Sequence, residues 1–138
     1  MGKVNHRPMT LVVISPMADH IHMALMMGAT AAAIGRPTTF FFSKGAVRFL
    51  QQDGWASMTT NEGANGPLMD TELEEKGVAD TALLIDGLSA LDVRFVACET
   101  ALREHDIDPA TFVTRPAVEI SGLADIMETG EGGDWLTF

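Results

Sequence analysis

Cys98, the only cysteine in the 138-residue chain, lies where an apolar run meets a helix-favouring segment. Residues 93–97 are mainly β-branched and aromatic, which predicts a short buried strand. Residues 99–105 consist largely of good helix formers. Reactive groups collect at such strand-to-helix junctions in parallel sheets, and the amino end of a helix favours a thiolate. The pattern therefore predicts a nucleophilic sulfur at the carboxyl edge of a sheet.

A packed core residue is the alternative interpretation of Cys98, because unpaired cysteine is among the most buried residue types. The neighbouring Glu99 and the net charge of −10 both oppose thiolate formation. One cysteine excludes an internal disulfide framework and any multi-thiolate metal site within a single chain. A reactive and a packed cysteine both stay open, in a chain suited to a reducing compartment.

Three further side chains are candidates for chemistry at the same edge of the sheet. Lys44 follows the second predicted strand and His20 lies in the first predicted helix, so both are candidate electrostatic helpers for Cys98. His20 and His22 point to different sides of a helix and make a poor chelate, so no metal site is predicted. The chain has no glycine-rich dinucleotide or P-loop motif, and we expect no cofactor.

Apolar runs alternate with capped helical segments along the whole chain, which predicts an α/β fold. We expect three layers, with a mostly parallel, flavodoxin-like sheet of about five strands and helices on both faces. In a flavodoxin-like order the first and third strands are neighbours, which would bring His20 or His22 close to Cys98. The predicted strands are residues 10–14, 38–42, 93–97, 116–120 and 135–138.

Two segments between the predicted strands have distinctive compositions. A helix predicted over residues 15–34 is apolar almost all round, so we expect it to be buried. Residues 53–79 show no sustained period and are predicted to be irregular, apart from a turn or two of helix at 68–76. Trp55 and Met58 are expected to pin this segment down. Such a segment is typical of a lid or binding loop, which leaves a small-molecule or metal site beneath it as an alternative function.

Overall composition limits the partners and the location of the protein. Hydrophobic residues make up 46% of the chain and include nine methionines, which indicates apolar surface reserved for subunit contacts. The net charge of −10 argues against nucleic acid and anionic membranes as partners. The apolar segment at 11–14 is too short for a signal peptide, and Gly28 and Gly35 interrupt the best candidate membrane span. We expect a cytoplasmic homo-oligomer in which residues 1–138 form one domain.

Two motifs and their spacing resemble the DsrE/DsrF-like family. They are Phe-Phe-Phe-Ser-Lys-Gly-Ala at 40–46 and Ala-Cys-Glu-Thr-Ala-Leu at 97–102, separated by a segment rich in Met and Gly. The resemblance implies a flavodoxin-like domain, often trimeric or hexameric, whose cysteine can carry sulfane sulfur as a persulfide. Carried over to this chain, that cysteine is Cys98. Glu99 and Thr100 depart from the family pattern, and Glu99 would repel an anionic persulfide.

With this resemblance, the favoured hypothesis is a sulfur carrier or sulfurtransferase-like protein in which Cys98 is the nucleophile and sulfur acceptor. The sulfur would come from a small donor or a protein. Lacking a second cysteine, the chain cannot release it through an internal disulfide, so a partner thiol protein must take it. The competing hypothesis is a non-catalytic, oligomeric binding or assembly protein in which Cys98 is merely packed. The sequence leaves open whether the protein is an enzyme.

Overall fold

The computed structural model describes residues 6–138 and contains one five-stranded sheet in which every strand pair is parallel. The strands are β1 (Met9–Val13), β2 (Thr38–Phe42), β3 (Val93–Cys98), β4 (Val118–Ser121) and β5 (Asp134–Thr137). The helices are α1 (Ala18–Ala33), α2 (Gly54–Ser57), α3 (Gly66–Glu75), α4 (Thr81–Ala90), α5 (Glu99–Glu104) and α6 (Leu123–Thr129), with 3₁₀ helices at Lys44–Leu50 and Pro109–Thr111. Each strand lies within two residues of its predicted position.

The strand order is β4-β3-β2-β1-β5, in a flavodoxin-like α/β arrangement. The predicted fold class is confirmed. The expected contact between the first and third strands is wrong, because β2 pairs with both β1 and β3 and lies between them. The connections from β1 to β4 each move one strand in the same direction, and only the last connection returns to place β5 beside β1.

Alternation along β3 shows which helices cover each face of the sheet. Phe95 packs against Phe40 with ring centroids 4.9 Å apart, and Phe40 lies against Gly28 of α1. Arg94, the preceding residue, points to the opposite face and donates a hydrogen bond to Asp125 of α6. Because α4 packs against α1, these two helices cover one face and α6 covers the other. The three-layer prediction is confirmed.

The core is densest around β2, whose five residues are all buried. This burial is expected for the central strand of a parallel sheet, which is covered on both faces. The largest side chains that are fully buried are Phe40, Phe41, Phe42, Phe95, Leu11, Ile21, Leu25, Leu50, Leu88 and Ile126.

Helix α1 begins later and is less buried than the sequence predicts. Met17 is its N-cap, and the Ser15 hydroxyl instead accepts a hydrogen bond from the Met17 backbone N–H at 3.1 Å. Met23 and Met26 are exposed, so the expectation of a helix buried on all sides is wrong for the single chain. Among residues 6–138, neither α1 nor any other helix is long and apolar enough to cross a membrane.

Residues 53–79 are more regular than predicted. The helix predicted at 68–76 is confirmed as α3, which begins two residues earlier than expected and has ten residues. The four-residue helix α2 was not predicted. Asn65 caps α3 with its side chain, and the glycine and proline that follow it occupy the first helical turn. These residues had the composition of a turn, which concealed a helix start. Met58 is buried, and the Trp55 indole N–H donates to Oδ2 of Asp70 in α3 at 2.7 Å. Both residues therefore hold the segment as expected.

Candidate functional site

Cys98 is the last residue of β3 and the N-cap residue of α5. Its backbone is extended, with φ −68° and ψ 119°, and the helix begins at Glu99. In the register of the sheet it pairs with Ser121, the last residue of β4. The predicted position of the cysteine at a strand end is confirmed.

The surroundings enclose the Cys98 side chain. The residue is only 5% exposed, and alternation along β3 places it on the face covered by α6. Its sulfur makes no capping hydrogen bond to the first turn of α5, contrary to the expectation that backbone N–H groups point at it. Helix α5 has only six residues, so few aligned peptide dipoles act on the sulfur.

Two carboxylates lie near this end of β3 and β4. The Oε1 atom of Glu99 is 3.1 Å from the position that a Cβ on Gly122 would take, so Glu99 covers the turn into α6. At the same turn, the Ser121 hydroxyl donates to Oδ2 of Asp125 at 2.9 Å. Both carboxylates add negative charge, which would repel an anionic sulfur species.

Arg94 balances part of that negative charge from the start of β3. Its guanidinium donates to Glu119 at 2.9 and 3.1 Å and to Asp125 at 3.4 Å. The hydrogen bond to Glu119 is the main cause that raises the pKa of Arg94. The hydrogen bond from Ser121, followed by that from Arg94, lowers the pKa of Asp125. This cluster was not predicted from the sequence, because its residues meet only when β4 and α6 pack beside β3.

Lys44 lies at the turn that follows β2, the strand next to β3. Its backbone adopts a left-handed conformation, with φ +50°. Its ammonium donates to both carboxylate oxygens of Glu104, at 3.2 and 3.1 Å. Glu104 is the last residue of α5 and Cys98 caps the first turn, so the ion pair ties the β2 turn to the cysteine helix. The charge of Lys44 is thus already matched by a carboxylate.

The strand order keeps His20 and His22 away from Cys98. Both lie in α1, which follows β1, and β2 separates β1 from the cysteine strand. Helix α1 also covers the face of the sheet opposite to the one on which Cys98 lies. His20 is exposed, with Nδ1 2.7 Å from the Ser15 hydroxyl oxygen. His22 is buried, and its Nε2 lies 2.8 Å from the carbonyl oxygen of Ala79, which holds α1 to the segment before α4.

Two further features of the fold bear on ligand binding. Within residues 6–138, no three acidic, histidine or cysteine side chains are close enough together to hold a metal ion. On the face of the sheet opposite Cys98, a cavity of about 350 Å³ is lined by residues of α2, α3 and α4, among them Trp55, Asp70 and Thr81. Trp55 and Asp70 belong to the 53–79 segment.

Comparison with known proteins matches this chain to one family and shows that solved structures share its fold. A model of the DsrE/DsrF-like family matches residues 9–138. The crystal structure of the YchN protein from E. coli superposes with a TM-score of 0.62 at 17% identity, covering 96% of this chain and 99% of that one. Protein MTH1491 from Methanobacterium thermoautotrophicum gives a TM-score of 0.58 at 16% identity, covering 97% and 100%. No curated protein sequence is significantly similar to this chain.

Proposed function

The chain belongs to the DsrE/DsrF-like family, and on that premise we propose that it is a sulfur carrier or sulfurtransferase-like protein whose Cys98 accepts sulfane sulfur. One observation carries the proposal. The chain's only cysteine ends β3 and caps α5 at the carboxyl edge of an all-parallel sheet. Reactive groups of open α/β sheets lie at this edge.

The transfer step is an exchange between a thiolate and a persulfide. The Cys98 thiolate attacks the outer sulfur of a donor persulfide, R–S–SH, and the donor S–S bond breaks to release the thiolate R–S⁻. The product is Cys98–S–SH, so one sulfur atom moves with no net oxidation. An acceptor thiolate on a partner protein then attacks the outer sulfur and frees Cys98. The expected reducing cytoplasm would keep Cys98 as a thiol between transfers.

Burial of Cys98 gives the carrier a shielded persulfide and requires the site to open. The enclosing elements on the α6 side are short: β4 has four residues and α6 has seven, and most of them are exposed or half-buried. Short elements at a sheet edge open locally at low free energy. Movement of the turn between β4 and α6 would admit a donor without disturbing the buried β2.

Charge around the site selects the donor and the acceptor. Glu99 and the net charge of −10 disfavour anionic polysulfide and favour a protein partner with a basic surface around its thiol. Lys44, expected to be an electrostatic helper, stays in the proposal as a positioning residue, because its turn adjoins β3 and its ion pair with Glu104 restrains α5. His20 is left out, because β2 separates it from the cysteine strand.

The sulfur test is mass spectrometry of the intact protein after exposure to cysteamine persulfide, a donor whose ammonium group suits the acidic surface. We expect the wild type to gain the mass of one sulfur atom and to lose it on addition of dithiothreitol. Cys98→Ser and Cys98→Ala should gain nothing. Wild-type protein unfolded in urea serves as the control for reagent quality. Modification of the unfolded chain alone would overturn the proposal and favour a packed cysteine.

We also infer that the protein is a homo-oligomer, as its family resemblance implies, and that the β4 edge is the contact between copies. Beside this edge strand, Leu123 and Met127 of α6 are 61% and 64% exposed, and a second copy would cover both. Sedimentation velocity at micromolar concentration should show an oligomer that Met127→Lys dissociates. Leu83→Lys, on exposed α4 surface, is the matched control. A wild-type monomer would contradict this inference.

A further inference from the structure

The cavity on the face opposite Cys98 has the features of a ligand site. Its volume is about 350 Å³, which lies within the range of small-molecule pockets. Phe95 forms part of its wall, and alternation along β3 directs Phe95 and Cys98 to opposite faces of the sheet. The cavity is therefore separate from the cysteine site.

Most of the cavity wall is apolar and aromatic. Phe49 and Trp55 meet edge to face, with ring centroids 5.6 Å apart and planes at 86°. Phe95, Ile85 and Val113 supply further apolar surface. A wall of this kind favours a flat, mainly hydrophobic molecule.

Thr81 contributes a polar group that the protein leaves without a partner. The residue is only 5% exposed and lines the cavity. Its hydroxyl oxygen has no hydrogen-bond partner anywhere in the described residues 6–138. Leaving a buried polar group unpaired costs about 1–3 kcal/mol. The oxygen is itself covered, and rotation about the Cα–Cβ bond would turn it towards the cavity. A ligand that bonds to the rotated hydroxyl would remove the cost.

Asp70 gives the cavity its charge. Its Oδ2 accepts from the Trp55 indole N–H at 2.7 Å, and its Oδ1 accepts from the Thr81 backbone N–H at 2.9 Å. These bonds fix the carboxylate, and each oxygen keeps a second lone pair for a ligand donor. Arg115 lines the cavity but pairs with the exposed Asp86 at 3.1 Å, so it does not neutralise Asp70. The site favours a donor group and disfavours an anion.

We propose that this cavity binds a small, uncharged, mainly aromatic molecule that carries one hydroxyl or amine group. The ring lies among Phe49, Trp55 and Phe95. The polar group donates to Asp70 and, if it is a hydroxyl, accepts from Thr81. The proposal does not depend on the sulfur chemistry of Cys98.

The first test compares three probes of similar shape: 2-naphthol, 2-methylnaphthalene and 2-naphthoate. Each is titrated into ¹⁵N-labelled protein while the two indole N–H signals are followed by NMR. Trp55 lines the cavity, whereas Trp135 lies on β5 and donates to the Gly130 carbonyl, so Trp135 is an internal control. We expect 2-naphthol to shift the Trp55 signal saturably without moving that of Trp135. Its affinity should exceed that of 2-methylnaphthalene by roughly 30-fold, as the two hydrogen bonds to Asp70 and Thr81 imply, and 2-naphthoate should bind most weakly.

The second test removes the unpaired hydroxyl and keeps the side-chain shape. Thr81→Val should weaken 2-naphthol binding by about fivefold and leave 2-methylnaphthalene binding unchanged. Thr71→Val, on the exposed surface of α3, is the matched control and should change neither. The proposal is overturned if no probe shifts Trp55 saturably, if 2-naphthoate binds the wild type most tightly, or if Thr81→Val leaves 2-naphthol binding unchanged.

Discussion

Gly28 allows α1 to approach β2 closely, and Gly28→Ala should therefore destabilise the fold. A Cβ at this position would lie 2.7 and 2.9 Å from the two Cε atoms of Phe40, and nearer still to its Cζ. Phe40 is fully buried, with the rings of Phe42 and Phe95 at 5.9 and 4.9 Å, so it has little room to move aside. Either the ring or the helix must shift.

Two opposing terms set the magnitude of the Gly28→Ala effect. Alanine in a helix interior is favoured over glycine by about 0.5–1 kcal/mol. Overpacking a dense core costs about 1–3 kcal/mol, so the expected net loss is about 0–2.5 kcal/mol. Gly87 of α4 is the matched control, because an added Cβ there has no heavy atom within 4 Å. Gly87→Ala should gain about 0.5–1 kcal/mol, since only the helix-propensity term applies.

Urea unfolding at one fixed protein concentration measures both variants, because any oligomer makes stability depend on concentration. The double variant Gly28→Ala with Phe40→Leu identifies the cause, since leucine lacks the outer ring atoms. The coupling free energy between the two substitutions should be favourable by about 1 kcal/mol. Equal or higher stability of Gly28→Ala, together with zero coupling to Phe40, would refute the close-approach argument.

Three further predictions concern capping, burial and pH. Asp106 has φ +51° after the last turn of α5, where glycine is preferred, so Asp106→Gly should raise the urea-unfolding free energy by about 0.5–1 kcal/mol. The carboxylate of Asp70 accepts from two N–H groups, whereas an asparagine side chain has only one acceptor atom. Asp70→Asn should therefore lower the urea-unfolding free energy by about 1–3 kcal/mol. Ser121→Ala removes the hydrogen bond that most lowers the pKa of Asp125, so a carbon-detected NMR titration should show this pKa rising towards its ordinary 3.8. The lowered pKa of Asp125 stabilises the fold above about pH 4, and this contribution is lost as the pH falls through the folded-state pKa. The difference in unfolding free energy between Ser121→Ala and the wild type should therefore disappear in acid.

Two of these predictions have a control within the chain. Glu72→Gln, on the exposed side of α3, should leave stability unchanged where Asp70→Asn lowers it. The pKa of Asp134 is lowered by the hydrogen bond from Arg36, far from Ser121, and should not respond to Ser121→Ala. A loss of stability in Asp106→Gly would contradict the assignment of a strained left-handed position.

Local patterns predicted the elements and the cysteine junction, because near-continuous apolar runs such as β2 identify buried strands without reference to their neighbours. The strand order was not predictable in this way. No residue in β1 specifies whether β2 or β3 lies beside it, and the expected approach of His20 to Cys98 failed for that reason. The cluster around Arg94 and the buried environment of His22 likewise arise from packing between distant segments. At the candidate site the position of Cys98 was predicted, whereas its missing capping bond depends on side-chain geometry that sequence does not specify.

The return of β5 to the side of β1 has a consequence for the order in which the chain folds during synthesis. β1 is made before the other strands. The edge of β1 that faces away from β2 gains its partner only when β5 has been made, for example when Met9 pairs with Asp134. Until then the apolar β1 is an unpaired edge, and α6 has not yet covered its face of the sheet. Such exposed edges recruit other chains. The apolar β1 edge thus stays open to other chains until β5 has left the ribosome, and a chain cut before residue 134 would keep that edge open.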